Sequence, residues 1–185
     1  MTSLVPFRSL NEIPWYLRIV LWLQKRKFGF VLNPSLLWVY TPAQFFAFSL
    51  YYLAIERKSS PISPGLRSLV MVRVAQLNWC AFCIDINASL LLTRTESKEK
   101  ALALKDWQKS QLFTEQEMAA LAYAESMTLN DRNLAESVGP KLKLHFSDAA
   151  IVELTGIIAY QNLSARFNAA LNISPQGFCE LDLGR

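Results

Sequence analysis

Signals for the start of a helix recur along this chain, and no alternating strand pattern competes with them. Residues 41–44, Thr-Pro-Ala-Gln, combine an N-cap residue, a proline at the first helical position and the glutamine of a capping box. Ser63-Pro64 repeats the cap and the proline, and residues 113–118 add a hydrophobic staple to a complete capping box. Glycine, which turn-rich β folds need, supplies only 6 of 185 residues. The sequence therefore predicts an all-α fold.

Apolar residues recur at helical spacing between these signals, which gives the extent of each helix. The predicted helices cover residues 10–26, 41–57, 63–77, 80–93, 97–106, 114–127 and 147–171. Gly139-Pro140 is interpreted as the break before the last of them. The polar loop at residues 58–61 separates an N-terminal helical arm, residues 1–60, from a helical core, residues 61–185. We expect the two to form a single structural domain.

The positive charge of the chain is concentrated in the arm. The formal net charge is +4, yet residues 1–55 contain only one acidic side chain, Glu12. The longest basic run, residues 25–27, is too short for a nucleic-acid-binding surface, so no nucleic-acid partner is expected. Charged residues make up 18% of the chain, below the usual share of about 25%. This deficit indicates that further surface is buried in a homo-oligomer.

Residues 28–55 carry no formal charge, which raises the question of a membrane span. Prolines and polar side chains interrupt this stretch, and its continuous apolar part, residues 45–55, is shorter than the roughly 20 residues that a bilayer requires. We expect a buried or oligomer-facing helix, with peripheral membrane contact as the alternative. No secretory signal pattern opens the chain, so the expected location is cytoplasmic, where thiols are kept reduced.

One motif carries chemistry: residues 79–83, Trp-Cys-Ala-Phe-Cys. Cys80 and Cys83 are expected near the start of a helix, where residues three apart lie about 5–6 Å from each other, within reach of a disulfide. The partial positive charge of a helix N-terminus favours thiolate over thiol, as reversible dithiol–disulfide chemistry requires. Two alternatives stay open. The cysteines are two small buried residues, or they bind zinc, for which His145 and Cys179 are isolated further ligands.

The stretch around this motif, residues 66–85, resembles the carboxymuconolactone decarboxylase superfamily, specifically its AhpD-like alkylhydroperoxidase branch. The similarity extends through residues 106–125 and 146–167. The resemblance implies an oligomeric, all-α AhpD-like helical bundle. It also implies a dithiol that reduces a small hydroperoxide or the disulfide of a partner peroxiredoxin, with an external dithiol as the electron donor.

By position, the resemblance makes Cys83 the reactive thiol and Cys80 its disulfide partner. The family pattern also has a glutamate and a histidine that shuttle protons to the sulfur, at two positions that here hold Ser68 and Asn87. Neither a hydroxyl nor an amide titrates near neutral pH, so neither replaces a general base. Ser68 and Asn87 remain able to donate a hydrogen bond to a thiolate. The expected activity is therefore a thiol-dependent oxidoreductase that lacks the usual proton relay.

No signature of a metal, haem, flavin or nucleotide site appears, so no cofactor is expected. Two other functions compete with the oxidoreductase. One is a non-catalytic or redox-sensing oligomer whose cysteines oxidise slowly or not at all. The other, a lactone decarboxylase, needs acids, bases or a histidine where this chain has cysteines, and it ranks last. Whether the protein is an enzyme depends on what replaces the missing relay.

Overall fold

The computed structural model describes residues 3–181, and within that range the chain forms ten α-helices, two short 3-10 helices and no strand. The α-helices are α1 (Trp15–Phe28), α2 (Asn33–Trp38), α3 (Pro42–Ile55), α4 (Pro64–Leu77), α5 (Ala81–Thr95), α6 (Lys98–Ala103), α7 (Glu115–Thr128), α8 (Leu134–Ser137), α9 (Gly139–His145) and α10 (Asp148–Ala170). The 3-10 helices are Leu10–Glu12 and Leu104–Lys109. The all-α prediction is confirmed. None of the helices in the described range is long and apolar enough to cross a membrane.

Three prolines begin helices that the sequence pattern did not separate. Pro14 is the N-cap of α1, so residues 10–26 form a 3-10 helix followed by α1 instead of one helix. Pro34 lies in the first turn of α2, a helix absent from the prediction. Gly139-Pro140 starts α9, so its interpretation as a break is wrong. In each case proline is tolerated because the first residues of a helix do not need their N–H groups for internal hydrogen bonds.

The predicted helix caps form in two of three cases. The side chain of Ser63 accepts a hydrogen bond from the backbone N–H of Leu66, and Thr114 and Glu117 form the complete capping box at the start of α7. Thr41 makes no side-chain cap, so the capping box predicted for α3 is wrong. Its Oγ1 instead donates to the carbonyl of Trp38 at 3.4 Å, which closes the preceding turn.

Helix α4 forms the centre of the molecule, because it packs against α5, α7 and α10. Nine of its fourteen residues are buried, including Arg67 and Ser68. A helix surrounded on several sides is apolar on more than one face, which is why no narrow amphipathic stripe marks it in the sequence. Helix α5, which carries both motif cysteines at its start, lies between α4 and α10.

The first three helices build a second apolar cluster beside the main core. Its buried members are Ile13, Leu17, Leu21, Trp38, Val39 and Phe45. Phe48 and Phe167 pack against both clusters and so join the arm to the core. The segment after α10 strengthens this junction, since Gln176 hydrogen-bonds to the backbone of Val31 and Asn33 in the arm. A space remains between the arm and the core, and it contains the candidate site.

Candidate active site

A tight turn between α4 and α5 positions the two motif cysteines. Trp79 adopts a left-handed backbone conformation with φ 53°, and the N–H of Cys80 donates to the carbonyl of Ala75 at 3.1 Å. Cys80 is the N-cap of α5, and its sulfur accepts the N–H of Cys83 at 3.3 Å. Both thiols are free, and the residues are only 1% and 2% exposed. The predicted position of the pair, near the start of a helix, is confirmed.

The sulfur of Cys83 is surrounded by hydrogen-bond donors. Asn168 Nδ2 donates to Cys83 Sγ at 3.2 Å, and the hydroxyl of Ser164 lies 3.9 Å from it. Burial alone would raise the pKa of Cys83, but hydrogen bonds from Cys80, Asn168 and Ser164 outweigh burial and hold that pKa below its ordinary value. The hydrogen bond to Cys83, together with burial, raises the pKa of Cys80. The negative charge of an ionised pair therefore resides on Cys83, and the remaining proton on Cys80.

Cys83 lines a cavity of about 240 Å³, whereas Cys80 is not among the residues that line it. Side chains from α1, α2, α3, α4, α5 and α10 enclose this space, and many are aromatic: Phe28, Trp38, Phe45, Phe48, Tyr52, Phe82 and Tyr160. Several of these rings are stacked, with 5.1 Å between the centroids of Trp38 and Phe48 and 4.6 Å between those of Phe48 and Tyr160. Burial raises the pKa of Tyr52 to about 12, so its phenol stays neutral at physiological pH. The thiol thus faces a chamber with largely aromatic and aliphatic walls, in which Lys27 is the one charged side chain among the described residues that line it.

The two substituted relay positions make hydrogen bonds to other residues, and neither bond is to Cys83. Ser68 Oγ accepts from Arg94 at 2.8 Å, and Ser68 does not line the cavity. Asn87 does line it, but its Nδ2 donates to Gln161 Oε1 at 3.2 Å. The expectation that Ser68 and Asn87 hydrogen-bond the thiolate is therefore not met in this structure, since α10 supplies the donors.

A carboxylate lies near the position of Ser68, but two arginines compensate its charge. Arg94, the partner of Ser68, also pairs with Glu56 at the end of α3, and Glu56 pairs in addition with Arg67 at 3.2 Å. The side chain of Arg67 is only 2% exposed. These two ion pairs connect the end of α3, in the arm, to α4 and α5 of the core.

Three residues of α10 that face Cys83 were not identified from the sequence. Gln161, Ser164 and Asn168 all line the cavity and follow one another at spacings of three and four residues. This spacing places them on one face of the helix, within an otherwise apolar surrounding. A polar stripe on a buried helix is the signal that could have identified them.

The isolated residues considered as zinc ligands lie elsewhere. His145 ends α9, where its carbonyl accepts from Gln116, and it does not line the cavity. Cys179 is buried in the segment after α10, and its N–H donates to Asp85 Oδ1 at 2.8 Å. Across residues 3–181, no group of three His, Cys, Asp or Glu side chains is arranged to hold a metal ion.

Comparison with known sequences identifies similar proteins over nearly the whole chain. Residues 43–126 match the model of the carboxymuconolactone decarboxylase family. The protein YnjA of Escherichia coli strain K12 is 42% identical over 172 residues, which cover 93% of this chain and 94% of that protein. The protein YdfG of Bacillus subtilis strain 168 is 30% identical over 115 residues, which cover 62% of this chain and 78% of that protein.

Solved structures share the fold at lower sequence identity. A peroxidase-related protein from Ralstonia eutropha JMP134, described as an alkylhydroperoxidase AhpD core, superposes with a TM-score of 0.85 at 22% identity, covering 95% of this chain and 93% of that one. The debrominase Bmp8, as a cysteine-to-alanine variant in complex with 2,3,4-tribromopyrrole, gives 0.80 at 24% identity, covering 96% and 94%. These likenesses establish an AhpD-like fold.

Proposed function

Since this chain belongs to the carboxymuconolactone decarboxylase family, with an AhpD-like fold, we propose that it is a thiol-dependent oxidoreductase that reduces hydroperoxides. The observation that carries the proposal is the thiol of Cys83, which lines a cavity, accepts a hydrogen bond from Asn168 and has the thiol of Cys80 directly behind it. A thiol with a lowered pKa next to a second thiol is the arrangement that dithiol redox chemistry needs.

In the proposed reaction, the thiolate of Cys83 attacks the terminal oxygen of a hydroperoxide ROOH. The O–O bond breaks, RO⁻ takes a proton from solvent and leaves as ROH, and Cys83 becomes a sulfenic acid. Cys80 then attacks the sulfenic sulfur, and water leaves as the disulfide forms. Two thiols and ROOH thus give a disulfide, ROH and water. An external dithiol donates two electrons to restore the pair, and a partner peroxiredoxin disulfide is the alternative substrate.

The absence of a relay limits the expected rate. Asn168, Ser164 and the first turn of α5 stabilise the thiolate, but none of them transfers a proton. General acid–base help typically contributes about 10²–10⁴ in rate. We therefore expect turnover that is slower by such a factor than that of a dithiol with the glutamate and histidine in place.

Assembly into a homo-oligomer is part of the proposal. Helices α1 and α3 expose large apolar side chains, among them Trp15, Ile19, Trp22, Leu50 and Leu53. Exposed apolar side chains in this number are typical of an interface. A second copy of the chain is the proposed occupant, and a reducing compartment such as the cytoplasm is the proposed location, because the disulfide must be reduced in each cycle. Light scattering at several protein concentrations tests the assembly.

The test of the activity is steady-state consumption of cumene hydroperoxide with dithiothreitol as donor. We expect turnover by the wild type, none by Cys83→Ser, and none beyond a single event by Cys80→Ser. Cys179→Ser, which removes the third cysteine and leaves the motif intact, is the matched control and should retain wild-type turnover. If oxidation of Cys80 and Cys83 is stoichiometric and no donor sustains turnover, the protein is a redox sensor.

The aromatic lining of the cavity favours a second candidate, reductive dehalogenation of an aromatic ring. Two thiols and an aryl bromide give the disulfide, the arene and HBr, so the same pair supplies the two electrons. The debrominase Bmp8 shares the fold. Bromide release from a bromopyrrole or bromophenol that requires Cys83 would support this candidate, and peroxide turnover without bromide release would exclude it.

A further inference from the structure

Three amide side chains around the cavity each keep one buried polar atom without a hydrogen-bond partner. These atoms are Gln161 Nε2, Asn168 Oδ1 and Gln24 Oε1, and all three residues line the cavity that contains Cys83. Gln161 and Asn168 are only 1% and 2% exposed. Buried polar atoms in proteins are nearly always paired, so a cluster of unpaired ones around a cavity marks the place of a bound molecule.

Two of these amides already make one hydrogen bond each, and that bond shows which of their polar atoms is left unpaired. Gln161 Oε1 accepts from Asn87, so the donor Nε2 is the unpaired end. Asn168 Nδ2 donates to Cys83 Sγ at 3.2 Å, so the acceptor Oδ1 is the unpaired end. One free donor and one free acceptor therefore line the cavity of Cys83, which matches a ligand group that has both an O–H and an acceptor oxygen.

The other side chains that line the cavity disfavour a negatively charged ligand. Of the lining side chains, Lys27 alone is a cation, and it is exposed on α1 at the rim, where Leu23 and Leu53 are also exposed. Its Nζ is engaged with Tyr52, at 3.5 Å from the hydroxyl and 5.1 Å from the ring centroid. A buried carboxylate placed beside the Cys83 thiolate would have no cation to pair with, which is costly. A neutral ligand is therefore favoured.

Size and shape restrict the ligand further. The volume of about 240 Å³ is below the 300–1,000 Å³ typical of sites for larger ligands, so a molecule of about one ring fits. Stacked rings of Trp38, Phe48 and Tyr160 contribute flat apolar walls. Aromatic walls of this kind pack well against a flat ligand.

We propose that the cavity binds a small, neutral, ring-bearing molecule with one hydroxyl or hydroperoxyl group, which Gln161 and Asn168 orient beside Cys83. The O–H donates to Asn168 Oδ1, and Gln161 Nε2 donates to the neighbouring oxygen, the one that departs when the O–O bond breaks. Gln24, from α1, accepts from a second donor on the ligand or from a water. This assignment rests on the proposed function, since it names aralkyl hydroperoxides, in place of hydrogen peroxide or a carboxylate-bearing peroxide, as the substrate class.

Calorimetric titration of the reduced, full-length protein tests the assignment without any turnover. The probes are benzyl alcohol, toluene and benzoate, which carry on one ring a hydroxyl, no polar group and a carboxylate. We expect benzyl alcohol to bind about tenfold more tightly than toluene, because two buried polar atoms gain partners. Benzoate should bind more weakly than either. Equal binding of benzyl alcohol and toluene, or tighter binding of benzoate, would overturn the proposal.

A variant series distinguishes orientation by the amides from a general packing defect. The Gln161→Leu variant should bind toluene as tightly as the wild type and should lose the preference for benzyl alcohol. A packing defect would instead lower the affinity for both ligands. Asn168→Leu, which removes the free acceptor, gives a second variant and should likewise keep the affinity for toluene and lose the preference for benzyl alcohol. Gln111→Leu, an exposed glutamine outside the cavity, is the matched control and should change nothing. A retained preference in both cavity variants would overturn the role of the amides.

Kinetics separate this proposal from the proposed function. We expect kcat/KM for cumene hydroperoxide to exceed that for hydrogen peroxide by at least about tenfold. Equal values, with turnover that still requires Cys83, would overturn the substrate class and leave the oxidoreductase intact. Binding in the expected order without any turnover would overturn the oxidoreductase and leave the ligand assignment intact.

Discussion

Asn168 provides the shortest hydrogen bond from a side chain to the sulfur of Cys83, at 3.2 Å. Replacing it by leucine removes a donor that favours the thiolate, so Asn168→Leu should raise the pKa of Cys83. The pH profile of alkylation by iodoacetamide, measured on Cys83 by mass spectrometry, should therefore move to higher pH. Ser164→Ala should move it less, because the hydroxyl is 3.9 Å away. An unchanged profile in Asn168→Leu would show that the amide does not control ionisation.

The lowered pKa of Cys83 also predicts a pH dependence of stability. A cysteine whose pKa is lower in the folded than in the unfolded chain contributes stability that is lost as pH falls through the folded value. Between that value and its ordinary pKa near 9, the free energy of unfolding of the reduced protein should rise with pH. Urea denaturation at pH 6, 7.5 and 8.5 measures this, with Cys83→Ser as the control in which the increase should be absent. A parallel increase in both proteins would refute the prediction.

At the scale of single helices, N-terminal caps differ in how much they contribute to the free energy of unfolding. Thr114 forms a complete capping box with Glu117, so Thr114→Ala should lower the free energy of unfolding by about 1 kcal/mol. Thr41 occupies the equivalent position of α3 without a side-chain cap, and Thr41→Ala should change stability by less than about 0.5 kcal/mol. Both residues are exposed, so the pair is matched. Equal losses in urea denaturation would show that the cap of α7 adds nothing.

The long helices could be predicted from the sequence, and so could the short α6, but the other short helices could not. Caps and periodic apolar residues identified α3, α4, α5, α7 and α10, whereas α2, α8 and α9 have six, four and seven residues. Such lengths are too short for a periodic stripe, and these helices exist because their surroundings hold them in place.

For the candidate site too, the sequence predicts local features and misses those that depend on packing. The spacing of Cys80 and Cys83 is local, so their place near the start of α5 followed from the sequence. The donors to Cys83 come from Ser164 and Asn168, more than eighty positions along the chain. Only the packing of α10 against α5 brings them to the sulfur, and no local pattern reports that contact.

At the scale of the whole molecule, the arm and the core are joined by a buried ion cluster. Glu56, at the end of α3, pairs with Arg67 and Arg94 of the core. Glu56→Gln leaves the guanidinium of Arg67, 2% exposed, without a full countercharge, and should cost about 3–5 kcal/mol in the free energy of unfolding. Asp106→Asn, which breaks an exposed pair with Lys109, is the control and should cost less than about 0.5 kcal/mol. Similar small losses in both would mean that the cluster does not join the two parts.

The candidate site is built from residues of both the arm and the core. Helices α1 and α2 precede the part of the chain that matches the family model, residues 43–126, yet both line the cavity beside Cys83. Gln24 and the rim residue Lys27 come from α1. The thiol pair therefore belongs to the core, while the arm supplies part of the cavity wall beside it.

If Cys80 and Cys83 act together as a redox pair, a hydroperoxide must oxidise both of them at once. A count of free thiols before and after oxidation measures this. The fully reduced protein, with three cysteines, is treated with one equivalent of cumene hydroperoxide, quenched by alkylation and mapped by peptide mass spectrometry. We expect the loss of two thiols per chain, a Cys80–Cys83 disulfide, an alkylated Cys179 and no disulfide in Cys83→Ser. Three remaining thiols, or a disulfide that includes Cys179, would contradict the redox pair.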